Sequence, residues 1–324
     1  MKQAQVGCAC LRHSRCASQR RCRASSEGSS GRSSPVTSSA DSTTTVVCRS
    51  SRPIASYLNG RAFRIFLGPG DLVEEIAPRL VETAVPSLPP DLPCITFSLV
   101  NGEDRVFVFR DGVCIAAEEK TSGARAILLR EMAGLCDPDR GTRAILHAGA
   151  CGTDSGCVIL AGASHAGKST LCAALMAEGL FCYSDDSVVL DRDFRVAGMP
   201  FPVMLREASW AVLGPAVVEG SRIHRRLGHN VRFLPSNLPA NSSPAAVPKA
   251  LVFVDYQPDA PATLQALTPF EALLGLRDGG FWVEHDQQSI AQFLAWIERL
   301  GCYKLTWSAI GQASDAVRGL LTEC

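Results

Sequence analysis

The chain lacks a net charge: 32 basic and 32 acidic residues cancel over its 324 positions. That balance removes the basic excess on which a dedicated nucleic-acid binder depends. It also lacks any uncharged apolar run approaching the roughly 18 residues that a membrane helix needs. No apolar core of a secretory signal is present either. A soluble, cytoplasmic protein with no nucleic-acid or membrane partner is therefore expected. Although there are 14 cysteines, none form a Cys-x-x-Cys pair and no regular spacing recurs. This excludes a disulfide framework and leaves the cysteines as small buried hydrophobes. Lysine is scarce, with five against 27 arginines, so the position of any one lysine is informative.

What is present begins with core-forming material. Hydrophobic residues make up 46% and charged residues 20% of the chain, enough for a packed interior in one large or two modest domains. The charge is unevenly spread. Residues 1–52 hold nine basic and two acidic residues, and the remainder carries the compensating negative charge. This first segment is rich in Ser, Arg and Cys, without helical or strand periodicity, so a disordered extension is expected. An Arg- and Ser-rich composition also suits a transit peptide. A start of translation downstream, near Val46 or Val47, is a further reading, and Cys8, Cys10, His13 and Cys16 offer zinc-type ligands without a tight spacing.

From Arg61 the pattern alternates. Arg61–Leu67, Cys94–Val100, Arg105–Arg110 and Val113–Ala117 read as half-buried strands. Asn101-Gly102 and Asp111-Gly112 between them are hairpin signals. Residues 61–119 are expected to form a small antiparallel β region, followed by a helix over 122–135 with Ile127, Leu128 and Met132 on its apolar face. From about Thr142, short apolar runs alternate with helical segments, the mark of a layered α/β domain. Strands are expected at 144–147, 157–161, 180–183, 187–190, 251–256 and 302–307. Helices are expected at 168–178 (with Gly179 at its end), 289–300 and 313–321. The Pro-, Asn- and Ser-rich stretch 234–249 reads as a surface loop. The domain reading is a 1–52 extension, a 53–140 β-rich region and a 141–324 nucleotide-binding domain.

The sharpest motif is Gly162-Ala163-Ser164-His165-Ala166-Gly167-Lys168-Ser169-Thr170, which fits the Walker A pattern G-x-x-x-x-G-K-[ST]. Small residues let backbone N–H groups surround phosphate oxygens, and the helix that follows directs its positive end at them. Lys168 supplies a point charge for the β and γ phosphates, and the Ser169 hydroxyl is a ligand for Mg²⁺. A lysine at this one position, in a chain with so few, strengthens the match. Seventeen residues on stand Asp185-Asp186, in Tyr183-Ser184-Asp185-Asp186 at the end of the next strand-like run. Carboxylates so placed can hold Mg²⁺ or accept a proton, although Asp is also common in plain turns. His147, in Leu146-His147-Ala148, is a weaker candidate on sequence alone. The basic stretch His224–Arg232 either clamps an anion or is a solvated face.

The order Leu146-His147-Ala148, then the loop 162–170, then Ser184-Asp185-Asp186 resembles the kinase domain of HPr serine kinase/phosphatase, and more closely the HPr-kinase-related proteins. Met199-Pro200-Phe201-Pro202 with Leu205-Arg206, and Val231-Arg232-Phe233-Leu234-Pro235, are similar as well. The likeness covers roughly residues 140–310. It implies an α/β fold, a phosphate-loop kinase domain of the HPr kinase/phosphoenolpyruvate carboxykinase-like type, preceded by the small β-rich region. It implies ATP and Mg²⁺ as cofactors and a serine hydroxyl of a peptide or protein as acceptor. Carried over, Lys168 and Ser169 bind phosphate and metal, and Asp185 is the catalytic base or a metal ligand with Asp186 beside it. His147 lies near the transferred phosphate, Arg206 contacts phosphate, and a homo-oligomer is plausible. The Glu-x-Arg-Gly-type signature of true HPr kinases is missing, which sets HPr itself and phosphatase activity aside. The leading expectation is an ATP-dependent serine kinase; the alternatives are a small-molecule kinase on the same scaffold and a non-catalytic nucleotide sensor.

Overall fold

The computed structural model describes residues 52–88, 91–135, 140–219, 221–226, 229–238 and 245–322. The N-terminal extension, with its zinc-type residues, lies outside the described residues. The first layer is a five-stranded sheet in the order β1-β2-β3-β4-β5, built from β1 (Ile54–Leu58), β2 (Arg61–Leu67), β3 (Cys94–Asn101), β4 (Val106–Arg110) and β5 (Val113–Glu118). Asp111 and Gly112, at φ 48° and 81°, make the two-residue turn that joins Arg110 to Val113. Asn59-Gly60, at φ 47° and 82°, does the same between β1 and β2. Both are type I′ geometries, in which Asn, Asp and Gly tolerate positive φ.

One expectation for this region needs correction. The sheet is not wholly antiparallel, because β2 and β3 run parallel. Parallel neighbours require a crossover, and α1 (Asp71–Leu80) supplies it. Leu72, Ile76 and Leu80 recur every fourth residue and are fully buried. Pro78 inside the helix masks this signal, since proline removes an i→i−4 bond. The expected second helix is present as α2 (Thr121–Leu135), burying Leu128 and Met132.

The remaining chain runs β6 (Ala144–Leu146), β7 (Gly149–Thr153), β8 (Gly156–Ala161), α3 (Lys168–Ala177), β9 (Phe181–Ser184), β10 (Val188–Leu190), β11 (Val196–Ala197) and β12 (Val203–Arg206). It continues through α4 (Glu207–Leu213), α5 (Pro215–Val218), β13 (Arg222–Arg226), β14 (His229–Leu234), β15 (Ala245–Ala246), β16 (Pro248–Tyr256) and β17 (Thr263–Ala266). It ends with α6 (Pro269–Gly279), β18 (Phe281–Val283), α7 (Gln287–Arg299), β19 (Gly301–Trp307) and α8 (Ile310–Thr322). The architecture is mixed α/β. Three further sheets form: β15-β11-β10-β6-β18, β12-β14-β13, and a six-stranded sheet β17-β19-β16-β8-β7-β9. In the last, β16 is parallel to both β8 and β19.

The six-stranded sheet is covered on both faces. Along β8, Cys157, Ile159 and Ala161 enter the core shared with α6 and α7, while Val158 and Leu160 enter the core shared with α3 and α8. This two-sided burial explains why β8 and β16 read as nearly unbroken apolar runs. Each large apolar side chain so buried contributes about 1.5–3 kcal/mol. The first sheet buries one face: along β3 and β4, buried Phe97, Leu99, Val106 and Val108 alternate with half-buried Thr96, Ser98, Val100, Phe107 and Phe109. Its core joins Phe63, Ile65, Phe97 and Leu99 to Ile145, Val189, Ala197 and Met199 from beyond residue 141. The stretch expected to be a loop holds strand residues at both ends: β14 runs to Leu234, and β15 and the start of β16 lie at 245–246 and 248.

Candidate active site

The strand–loop–helix context that the phosphate-loop motif requires is present. β8 ends at Ala161, and α3 begins at Lys168. Gly167 caps the helix at φ 96°, and a Cβ there would come 2.5 Å from Trp307 Cζ2. Gly162, at φ 138°, would put a Cβ 2.7 Å from the Val254 carbonyl. The two glycines thus let the loop turn tightly over the ends of β16 and β19. Lys168 reaches back over the loop, and its Nζ donates to the carbonyls of Gly162 (2.8 Å) and Ala163 (3.0 Å). Burial holds its pKa below the usual lysine value.

The acidic pair follows β9. Ser184 Oγ accepts a hydrogen bond from the Ser187 amide at 3.0 Å, which fixes the turn that presents both acids. Asp185 is buried and fully engaged. Arg79 Nη1 donates to its Oδ1 at 3.0 Å, the Met204 amide donates to Oδ2 at 3.1 Å, and Ser169 Oγ lies 3.5 Å from that same oxygen. Arg79 is only 2% exposed and also donates to the Pro202 carbonyl. Asp186 is more open: Arg125 Nη2 is 3.8 Å and His147 Nδ1 3.5 Å from its carboxylate. Burial opposes its charge, but Arg79, Arg125, His147 and Lys168 together hold its carboxyl below the usual range.

His147 follows β6 on the open side of the cleft. Its Nδ1 lies 3.0 Å from the Asp186 carbonyl oxygen. A carbonyl only accepts, so Nδ1 carries the proton and Nε2 is left as the basic nitrogen. At the other rim, Arg206 at the end of β12 places Nη1 2.8 Å from Nδ1 of the loop residue His165. His165 itself holds φ 70°, a left-handed conformation uncommon for a non-glycine residue.

These groups line one cleft of about 600 Å³. Ser164, His165, Gly167, Lys168, Ser169, Thr170, Asp185, Asp186, His147 and Arg206 all face it. Gly162, Ala163 and Ala166 shape the loop behind that wall. Of the basic stretch 224–232, the described side chains act elsewhere: Arg232 stacks on Trp210 at 4.8 Å, and His224 meets Phe233 edge-on. Sequence reasoning missed Arg79, Arg125 and Trp307. Nothing local signals Arg79 as a site residue, because 106 positions separate it from Asp185. The spacing of Leu72, Ile76 and Leu80 could have revealed its helix.

Chemically, the cleft offers backbone amides and four cationic side chains to a polyanion. It also offers two hard oxygen ligands, Ser169 Oγ and an Asp185 carboxylate oxygen, close enough to share one ion. Oxygen donors, one of them a carboxylate, suit Mg²⁺, which takes few protein ligands and completes its shell with water and phosphate. Set against known proteins, the chain matches no family model and no curated relative.

Proposed function

We propose that the protein is an ATP-dependent kinase, of the HPr-kinase-like type, that transfers the γ-phosphoryl group to a serine hydroxyl of a peptide or protein. The observation that carries this reading is the meeting of a phosphate-binding loop with an acidic pair and a histidine in one cleft: Lys168 and Ser169 face Asp185, and His147 pairs with Asp186.

Phosphoryl transfer asks for positioning and charge neutralisation rather than covalent help. The loop amides hold the phosphates, and Lys168 leaves the carbonyls of Gly162 and Ala163 to meet them. Mg²⁺, held by Ser169 and Asp185, would neutralise charge on the phosphate oxygens. Asp185 has both oxygens occupied by donors, so it suits the metal-binding role better than that of a base. The basic Nε2 of His147 then takes the serine proton, and Asp186 stabilises the imidazolium that results. Arg206 stands where it can meet phosphate charge developing in the transition state.

The test is incubation of the protein with γ-labelled ATP and Mg²⁺ in extract of its source. Label on a peptide or protein serine, lost with Lys168→Ala, supports the proposal. Label confined to a small metabolite supports a small-molecule kinase, and intact ATP binding with no transfer supports a sensor.

A further inference from the structure

On the face of the six-stranded sheet that α3 covers, three cysteines meet. Cys151 comes from β7, Cys182 from β9 and Cys172 from the second turn of α3. Their Sγ atoms all lie within 4.8 Å of one another. All three are free thiols, and their exposures are 0%, 4% and 0% in that order. Cys151 and Cys182 are direct cross-strand partners, so both project from one face, and α3 lowers Cys172 onto them. Gly149, two residues before Cys151 on the same face, leaves the room: a Cβ there would lie 2.6 Å from Cys172 Sγ. The other described buried cysteines, Cys157 and Cys302, belong to the core on the opposite face.

We infer that Cys151, Cys172 and Cys182 form a three-thiolate site for a soft monovalent metal ion, with Cu(I) as the ion the donor set fits. Soft sulfur donors select Cu(I), zinc or iron–sulfur chemistry. Structural zinc takes four ligands, and iron–sulfur clusters are held by four. Among the described residues no fourth His, Cys, Asp or Glu joins the group. Cu(I) is satisfied by three thiolates in a plane. With metal–sulfur distances of about 2.3 Å, the sulfurs of such a plane lie about 4 Å apart, so closure asks for a shift of less than about one ångström.

The ion forms three Cu–S bonds, each thiol that ionises releases one proton, and no oxidation state changes. Lys168, one helical turn away, and Asp185, which follows β9, act on the negative charge left behind in opposite directions. β9 is the edge strand of its sheet, fastened from outside by Asn237, which accepts from the Cys182 amide and donates to the Leu180 carbonyl.

The test is anaerobic titration of the full chain with Cu(I) against a chromophoric Cu(I) chelator. Cys151→Ala, Cys172→Ala and Cys182→Ala are each expected to lose one equivalent of the tightest class of sites, while Cys302→Ala loses none. Equal stoichiometry in wild type and all three variants would overturn the proposal. A second measurement needs no variant. Wild-type protein, metal-free and loaded with one equivalent, is alkylated under the same conditions in mild denaturant, its peptides are mapped, and protection is counted as slower alkylation in the loaded than in the metal-free protein. Protection of Cys151, Cys172 and Cys182 together is expected, and protection of Cys8, Cys10, Cys16, Cys22 and Cys48 instead would overturn it. Neither readout depends on ATP, so their outcome is separate from that of the kinase reading.

Discussion

Lys168 and His147 carry separable parts of the proposed chemistry, and their surroundings make them clean targets. Lys168→Ala removes the cation of the phosphate loop, and ATP binding measured by calorimetry should be lost. His147 is exposed, so His147→Ala should leave the fold and ATP affinity intact. Loss of a general base should cut turnover by about 10²–10⁴-fold. Asp185→Asn is a poorer probe, because it strands Arg79 as an unpaired buried charge. Breaking one side of such a pair costs about 3–5 kcal/mol, so lost activity in that variant would mix chemistry with unfolding. Asp186 makes a prediction in pH. Its carboxyl is held below its ordinary value of 3.8 in the folded chain. The stability it contributes is therefore complete above that value and is lost as pH falls through the folded pKa. Asp186→Asn should flatten the acid limb of a denaturant-stability profile below about pH 4 while lowering stability near neutrality.

Elements add predictions of their own. α6 starts with a full capping box: Thr268 Oγ1 accepts from the Glu271 amide, and Glu271 accepts from the Thr268 amide. Thr268→Ala should cost about 1 kcal/mol, read as a shift in denaturation midpoint. Gly167→Ala should be worse. The left-handed φ and the 2.5 Å approach to Trp307 leave no place for a methyl group, and a loss of about 1–3 kcal/mol is expected with the phosphate loop displaced. Legibility from sequence divides along the same physical lines. Strands buried on both faces, such as β8 and β16, and the amphipathic α7 and α8 announce themselves through composition and period. The Asp111-Gly112 turn does so through the positive φ it needs. Some of what stayed hidden was non-local or contradictory: α1 under its internal proline, the parallel pairing of β2 with β3, and the β13–β14 hairpin under a run of charges; α6 was missed as well, although Thr268, Pro269 and Glu271 give it a local start signal. The site followed the same division. The loop and acid pair are contiguous in sequence and legible, whereas Arg79 and Arg125 come from the first layer and are not.

At the scale of the whole molecule, that first layer is joined to the cleft in two ways. Arg79 on α1 and Arg125 on α2 reach Asp185 and Asp186, and one apolar core unites the first sheet with β6, β10 and β11. Residues 141–324 alone would expose Ile145, Val189, Ala197 and Met199 and leave both acids without their arginines. That fragment should show no cooperative thermal unfolding, while 53–324 should unfold in one transition by calorimetry. No helix among the described residues is long and apolar enough to cross a membrane. The cleft is proposed to move a phosphoryl group. The most direct measurement is transfer from γ-labelled ATP by wild type and by Lys168→Ala under identical conditions. Serine-bound label is expected with wild type and none with the variant. Equal labelling by both proteins, or tight ATP binding by the variant, would contradict the proposal.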